Sequence, residues 1–464
     1  MNIVQAMTDP ALFADQFAGE SWQNWRTLLA GFYGLPLDDD QAESWTEMTG
    51  LEKPPEAEHD ELWLVIGRRG GKSQIAALLA VYTACFDDYK DRLAAGEVAT
   101  VLVLAADRKQ ARAVFRYTQG LLNANPMLKR MIVREDRESI ELNNRTVIEI
   151  GTASFRSVRG YTLAAVIADE VAYWRSDDSA NPDTEILNAL RPALATLDGK
   201  LIALSSPYAR RGALWESYRR YYGRESAVLV AQAPSRTMNP KLPQKVIDEA
   251  VERDSVAADA EYFAKFRNDI SAFITRDLID NNVRSKPLII PATYSARYVG
   301  FVDVAGGGAD EFTLAIAFKE GNRAIIAGVW AQNGDPAAIT AQYAAILKLY
   351  GINTITGDRY AAQWPVNEFM RHGINLKPSE LNRSEIYLEF LPLLQTGAVE
   401  LPPDEKALSQ FVMLERRTSR SGRDTIDHAP GPGSHDDRCN AIAGAAVALS
   451  APEMPINCKI TYVY

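Results

Sequence analysis

The segment Gly67-Arg68-Arg69-Gly70-Gly71-Lys72-Ser73 constrains the fold more than any other stretch. It sits between an apolar run, Glu61–Ile66 (ELWLVI), and an Ala- and Leu-rich run, Ser73–Phe86. Strand, Gly-rich turn, helix is the context of a phosphate-binding loop. Glycines let backbone N–H groups crowd around phosphate oxygens, and the helix N-terminus adds partial positive charge. In such a loop Lys72 reaches the β/γ-phosphates and Ser73 ligates Mg²⁺. The match to G-x-x-x-x-G-K-[ST] is incomplete, because Ile66 stands where the first Gly belongs.

The rest of the first half agrees with such a sheet. Val98–Ala105 reads as a second apolar strand, Arg108–Leu122 as a helix, and Ser139–Ile150 as a hairpin around Asn143-Asn144. Leu163–Ala168, Thr184–Leu197, Lys200–Ser205 and Arg211–Tyr222 continue as strand, helix, strand, helix. Alternation of this kind implies a mostly parallel sheet with helices on both faces. The strand Ala165-Val166-Ile167-Ala168 delivers Asp169 and Glu170 at its C-terminal end, where ligands of open α/β sheets bind. Asp169 is expected to hold Mg²⁺ through water and Glu170 to polarise the attacking water. Ser205-Ser206-Pro207 ends the next strand. Read alone it is a strand-to-loop turn, and Gln23 alone is a surface glutamine.

Gln232–Gln244 carries three prolines and no periodic pattern, so a linker is placed at 232–290, between domains at 1–231 and 291–464. The second half opens with three strand candidates, Arg297–Val304, Thr313–Phe318 and Ala324–Trp330. Helix and strand then alternate, and a last helix spans Ser434–Ser450. Asp303 lies inside the first of these strands, and a carboxylate there is costly unless paired or bound to metal. Asp358 ends the fourth strand, and Asp436 and Asp437 stand in the first turn of the last helix. Strands one and four are neighbours in ribonuclease-H-like sheets. Carboxylates converging there hold two Mg²⁺ or Mn²⁺ ions, which activate a water and stabilise the leaving oxygen of a phosphodiester. Asp437 is favoured over Asp436, which is kept as a helper; the sequence does not decide between them. Asp310 and His435 are weaker candidates.

In order, then, come an Arg-bearing phosphate loop, a strand ending in Asp-Glu, Ser-Ser-Pro, and a second domain with Asp303, Asp358 and His435-Asp436-Asp437. This set resembles the large terminase subunit of tailed bacteriophages, from about Gln23 to Leu449. The resemblance implies an N-terminal P-loop (RecA/ASCE-like) ATPase domain and a C-terminal ribonuclease-H-like α/β nuclease domain. ATP and Mg²⁺ would serve them, with Mn²⁺ as an alternative at the nuclease. It makes Gln23 an adenine reader, Arg68 an aid to nucleotide binding or coupling beside Arg69, and Ser205-Ser206-Pro207 the coupling motif. It points to Arg159, or else Arg156, as an arginine reaching a neighbouring subunit's nucleotide. It implies double-stranded DNA, the procapsid portal protein and a small terminase subunit as partners. It also implies a homo-oligomeric ring when assembled, with a monomer allowed in solution, and a place in the host cytoplasm. Two rivals stand beside it: a DNA helicase or translocase without nuclease activity, and a non-enzymatic assembly factor.

Composition narrows the field from another side. The net charge is −10 (50 Lys and Arg against 60 Asp and Glu), which argues against a protein whose main work is coating nucleic acid. Local basic groups remain, Arg416-Arg417 and Arg420 to Arg423, serving either a nuclease groove or a solvated face. Three cysteines, far apart and odd in number, fit neither a disulfide framework nor a Cys-ligated zinc site. No apolar run reaches the roughly 18 residues of a membrane span, and the start lacks the pattern of a secretory signal, so a membrane or secreted protein is not expected.

Overall fold

A computed structural model describes residues 1–153, 160–174, 182–304, 311–358, 363–418, 424–428 and 435–450. The described residues form two compact units, one running to Ile270 and the other from Ser271 onward. The segment 232–290, expected to join two domains, therefore belongs to both, with everything up to Ile270 in the first unit. Among the described residues no helix is long and apolar enough to cross a membrane.

The first unit is built on strands β1 (Glu61–Ile66), β2 (Ala99–Ala105), β3 (Ile132–Glu135), β4 (Ser139–Leu142), β5 (Thr146–Thr152), β6 (Leu163–Asp169), β7 (Lys200–Ser205) and β8 (Val228–Ala233). They form one sheet in the order β3-β4-β5-β2-β6-β7-β1-β8. The six strands from β5 to β8 pair in parallel, and β3-β4-β5 closes one edge as an antiparallel meander. Side chains alternate along β1. Leu62, Leu64 and Ile66 enter the core with the helix Lys72–Phe86, while Trp63 and Val65 enter the core on the other face with Leu187 and Leu190. Burial on both faces explains the near-continuous apolar runs of β1, β2 and β6. Strand β7 lies between β1 and β6, so the Gly-rich loop and Asp169-Glu170 rise on either side of Ser205-Ser206 at one end of the sheet. This is the strand order of an ASCE-type P-loop sheet.

A short strand β9 (Ile270–Ala272) stands where the units divide. The second unit has β10 (Tyr298–Asp303), β11 (Phe312–Glu320), β12 (Arg323–Gln332), β13 (Thr354–Gly357), β14 (Asn375–Pro378), β15 (Val399–Glu400) and a hairpin of β16 (Leu414–Thr418) and β17 (Asp424–His428). Its main sheet runs β14-β13-β10-β11-β12-β15. β10, β11 and β12 pair antiparallel, and β13 joins β10 in parallel, the arrangement of a ribonuclease-H-like sheet. Phe301 packs on one face with Ala441, Ile442 and Ala445 of the helix Asp437–Ser450. Val302 packs on the other with Tyr343 and Leu347 of the helix Pro336–Leu349. A Cβ on Gly444 would stand 2.5 Å from the Phe301 ring. Only glycine lets the last helix lie this close to β10, and that approach sets the height of the helix's first turn beside Asp303.

Candidate functional sites

The phosphate loop follows β1 directly. Arg69 and Gly71 take left-handed backbone conformations, with φ of 65° and 95°. Lys72 opens the helix and is buried, with 6% exposure. Its Nζ donates to the carbonyl of Ile66 at 3.1 Å and to Ser206 Oγ at 2.9 Å, and stands 3.6 Å from Glu170 Oε1. The ammonium thus lies where the ends of β1, β6 and β7 meet.

Asp169 ends β6, nearly fully buried, and its Oδ1 has no hydrogen-bond partner. Burial, reinforced by the neighbouring Glu170 charge and opposed by Lys72, pushes its carboxyl up to about 7. Glu170 sits at φ 51°, a left-handed conformation uncommon for a side-chain-bearing residue and a mark of functional sites. Its Oε2 accepts from Ser205 Oγ at 3.1 Å and from the Ser206 amide at 3.3 Å. The Ser206 carbonyl, 2.8 Å from Ser205 Oγ, is a second acceptor for the same single hydroxyl hydrogen. The acidic pair, the lysine and the two serines form one contiguous polar group. Gln23 is exposed at the start of its helix, Gln23–Phe32. Arg68 is solvent-facing and ion-paired to Glu261 at 3.1 Å. Arg156 and Arg159 lie outside the described residues.

Several residues around this loop escape a sequence reading. Trp25 donates its indole N–H to the Gly70 carbonyl at 2.8 Å. Ser235 Oγ donates to the Arg68 carbonyl at 2.6 Å, and Asn239 Nδ2 to that of Arg69 at 2.9 Å. The only signal near any of them was the unusual Trp22-Gln23-Asn24-Trp25 cluster.

In the second unit, Val302 pairs with Gly357 in register, and the next residue on each strand is an aspartate, Asp303 and Asp358. Adjacent strands lie about 4.8 Å apart, so the two carboxylates are neighbours. Asp303 accepts from Asn440 Nδ2 at 2.7 Å. Burial, with the charges of Asp436, Asp437 and Asp358 adding to it, pushes its carboxyl up to about 8. Asp358 carries a buried Oδ1 without a hydrogen-bond partner.

The aspartates at the start of the last helix differ. Asp436 is 2% exposed, and both of its oxygens are engaged, by Arg383 at 2.9 Å and Tyr387 at 2.9 Å. Asp437, half-buried, accepts the Glu311 amide at 2.9 Å. Gln410 Oε1 caps the helix by accepting the amides of Arg438 and Cys439 at 2.9 and 3.1 Å. Arg438 then clamps Glu311 and Asp404 at 2.8 and 2.9 Å. Burial alone would raise Glu311, but Arg438 and Lys406 outweigh it and hold its carboxyl low. His435 is half-buried just ahead of the helix.

Arg416 and Arg417 are tied to Asp424, Glu415 and Asp427 of their own hairpin. Asp310 and Arg420 to Arg423 lie outside the described residues. Among the described residues no three Asp, Glu, His or Cys side chains already form a cage for a metal ion.

No family model matches this sequence, and no curated protein does. Solved structures do. The HK97 bacteriophage large terminase is 15% identical, with 84% of this chain and 91% of that one covered and a TM-score of 0.37. The large terminase of a thermophilic bacteriophage, in complex with ATP-gamma-S, is 12% identical over 91% of this chain and 98% of that one, at a TM-score of 0.39. The large terminase nuclease of thermophilic phage G20c with bound magnesium is 18% identical over 38% of this chain and 98% of its own, at 0.33. All three are from phage large terminases. Likeness this distant carries no argument about activity, which rests on the geometry of the two sites.

Proposed function

We propose that this chain is a viral DNA-packaging motor subunit of the large-terminase kind. It hydrolyses ATP to move double-stranded DNA into a procapsid and cuts concatemeric DNA with its second unit. The observation that carries the reading is the pairing, on one chain, of a Lys72–Glu170–Ser206 centre under a phosphate loop with aspartates placed at the ends of β10 and β13 and at the start of the last helix.

For ATP, the loop amides and Lys72 would hold the β/γ-phosphates, Ser73 would ligate Mg²⁺, and Asp169 would hold it through water. The orphaned buried Oδ1 of Asp169 fits that role. Glu170 orients the attacking water and takes its proton. Ser205 and Ser206 contact both Glu170 and Lys72, so they sense whether a γ-phosphate stands between them. Gln23 reads the adenine edge, and Arg159 acts on a neighbouring subunit's nucleotide within a ring.

For DNA, Asp303, Asp358 and Asp437 are the cation ligands, and Asp436 is a positioning residue that anchors the helix. Mg²⁺ is usually held by only one or two carboxylates plus water, so the absence of a closed cage among the described residues does not oppose it. The unpartnered Asp358 Oδ1 and the raised Asp303 carboxyl are what a hard cation would satisfy. When bound, Mg²⁺ or Mn²⁺ activates water and stabilises the leaving oxygen. Asn440 holds Asp303 in place.

The portal protein, a small subunit and a ring of like copies are the partners this reading requires, in the host cytoplasm. The helicase alternative needs a second ATPase-like unit. The β14-β13-β10-β11-β12-β15 sheet, with three antiparallel strands at its centre, does not supply one. ATP turnover measured with and without double-stranded DNA tests the motor half. Turnover lost in Lys72→Ala supports it, and a wild-type chain inert toward ATP with DNA and portal present contradicts it.

A further inference from the structure

The carbonyls from Ile66 to Gly70 are all tied to donors. Lys72 Nζ takes Ile66 O at 3.1 Å and lies 3.5 Å from Gly67 O. Ser235 Oγ takes Arg68 O, Asn239 Nδ2 takes Arg69 O, and the Trp25 indole takes Gly70 O. Five consecutive carbonyls, from Ile66 to Gly70, are thereby engaged. The amides of Gly71, Lys72 and Ser73 make no backbone hydrogen bond among the described residues. A peptide plane carries its C=O and N–H on opposite sides. The carbonyls of Arg68, Arg69 and Gly70 share their planes with the N–H groups of Arg69, Gly70 and Gly71, so fixing them fixes those three amides; that of Gly70 turns back to Gly67 O at 3.2 Å, while that of Gly71, next to the helix start, makes no backbone hydrogen bond.

The three outside donors come from two distant parts of the chain. Trp25 lies ahead of β1, in the helix Gln23–Phe32. Ser235 opens, and Asn239 ends, the short helix Ser235–Met238 after β8. Both approaches are close. A Cβ on Gly67 would stand 2.4 Å from Ser235 Oγ, and one on Gly71 would stand 3.1 Å from the Trp22 ring and 3.2 Å from Trp25 Nε1. Glycine at these positions serves the brace as well as the phosphate.

We propose that Trp25, Ser235 and Asn239 are positioning residues that hold the phosphate loop in its anion-binding form before nucleotide arrives. They touch neither base nor phosphate; they act through Arg68, Arg69 and Gly70. The proposal rests on the ATPase reading above. Preorganised donors cost nothing to reorient on binding, so losing a brace weakens phosphate binding more than it slows turnover.

The test compares Trp25→Phe, Ser235→Ala and Asn239→Leu with wild type. Each removes one donor while keeping most of the side-chain volume. KM and kcat for ATP are measured beside the inhibition constant of tripolyphosphate, a probe with no base or ribose. Each variant is expected to raise the ATP KM and the tripolyphosphate constant together, roughly three- to tenfold for a lost hydrogen bond, with kcat changed less. Asn239 is only half-buried, so its variant reads the effect even if Trp25→Phe folds poorly. Folded variants with wild-type constants for both probes overturn the proposal. Weaker ATP binding with unchanged tripolyphosphate inhibition also overturns it, because the residues would then serve the base. A wild-type chain that binds neither probe is a different failure: it removes the nucleotide reading and the brace with it.

Discussion

Asn440 donates to Asp303 across 2.7 Å, joining the first turn of the last helix to the last residue of β10. The hydrogen bond orients one carboxylate oxygen of Asp303, and in the proposed nuclease site the other would face the cation. Asn440→Ala is expected to lower metal-dependent cutting about 10–100-fold, the usual cost of losing a partner of a metal ligand. ATP turnover should stay at the wild-type level. Plasmid nicking and ATPase rates on the same preparation decide it, and unchanged nicking would remove Asn440 from the site.

Glu170 and Lys72 separate turnover from binding. Glu170→Ala should abolish ATP hydrolysis while retaining ATP, because it removes the group that orients water and leaves the loop intact. Lys72→Ala should lose both. Equilibrium binding of a fluorescent ATP analogue beside phosphate release reads the two. Normal turnover in Glu170→Ala would contradict the role given to that carboxylate.

Asp436 and Asp437, adjacent in sequence, should part company when mutated. Asp436→Asn breaks the contact with Arg383 and weakens that with Tyr387. A loss of about 2–3 kcal/mol in stability is expected. That is less than the ~3–5 for a fully buried pair, because Arg383 is 37% exposed. Asp437→Asn should leave stability nearly unchanged and remove cutting. Urea unfolding paired with nicking measures both, and the reverse pattern would exchange their roles.

The strands that carry site residues were readable where burial on two faces writes an apolar run and a site residue ends it, while β3, β8, β14 and β15 were not read as strands. β1, β6, β7 and β10 follow that rule, whereas β13 is a short strand with only alternate residues buried. Asp303 stood out as a carboxylate in an apolar strand, and Asn440 was within reach of inference, three residues after Asp437 and so on the same helix face. The choice between Asp436 and Asp437 was not, since it depends on Arg383 and Tyr387, about fifty residues earlier in the chain. Nor were Trp25, Ser235 and Asn239, which meet the phosphate loop only through tertiary packing. The prolines of 232–244 suggested a linker, yet that stretch lies within the first unit, and its Ser235 and Asn239 donate to carbonyls of the phosphate loop.

Gly444 offers a purely steric test. Gly444→Ala sets a methyl group against the Phe301 ring, and overpacking of this kind costs about 1–3 kcal/mol. Alanine's better helix propensity returns at most about 1 kcal/mol. A lower unfolding midpoint and reduced nicking are expected together, because the same helix carries Asp437 and Asn440. A variant more stable than wild type would show that the close approach of helix and strand is not needed.

In the proposed function one chain carries both an ATPase and a metal-dependent nuclease. Plasmid nicking by the purified full chain with Mn²⁺ or Mg²⁺, beside Asp303→Ala, tests it most directly. Cation-dependent cutting by wild type is expected, lost in Asp303→Ala while ATP turnover persists. Cutting that survives in Asp303→Ala, or none from wild type with either cation even with ATP and portal protein present, would contradict it.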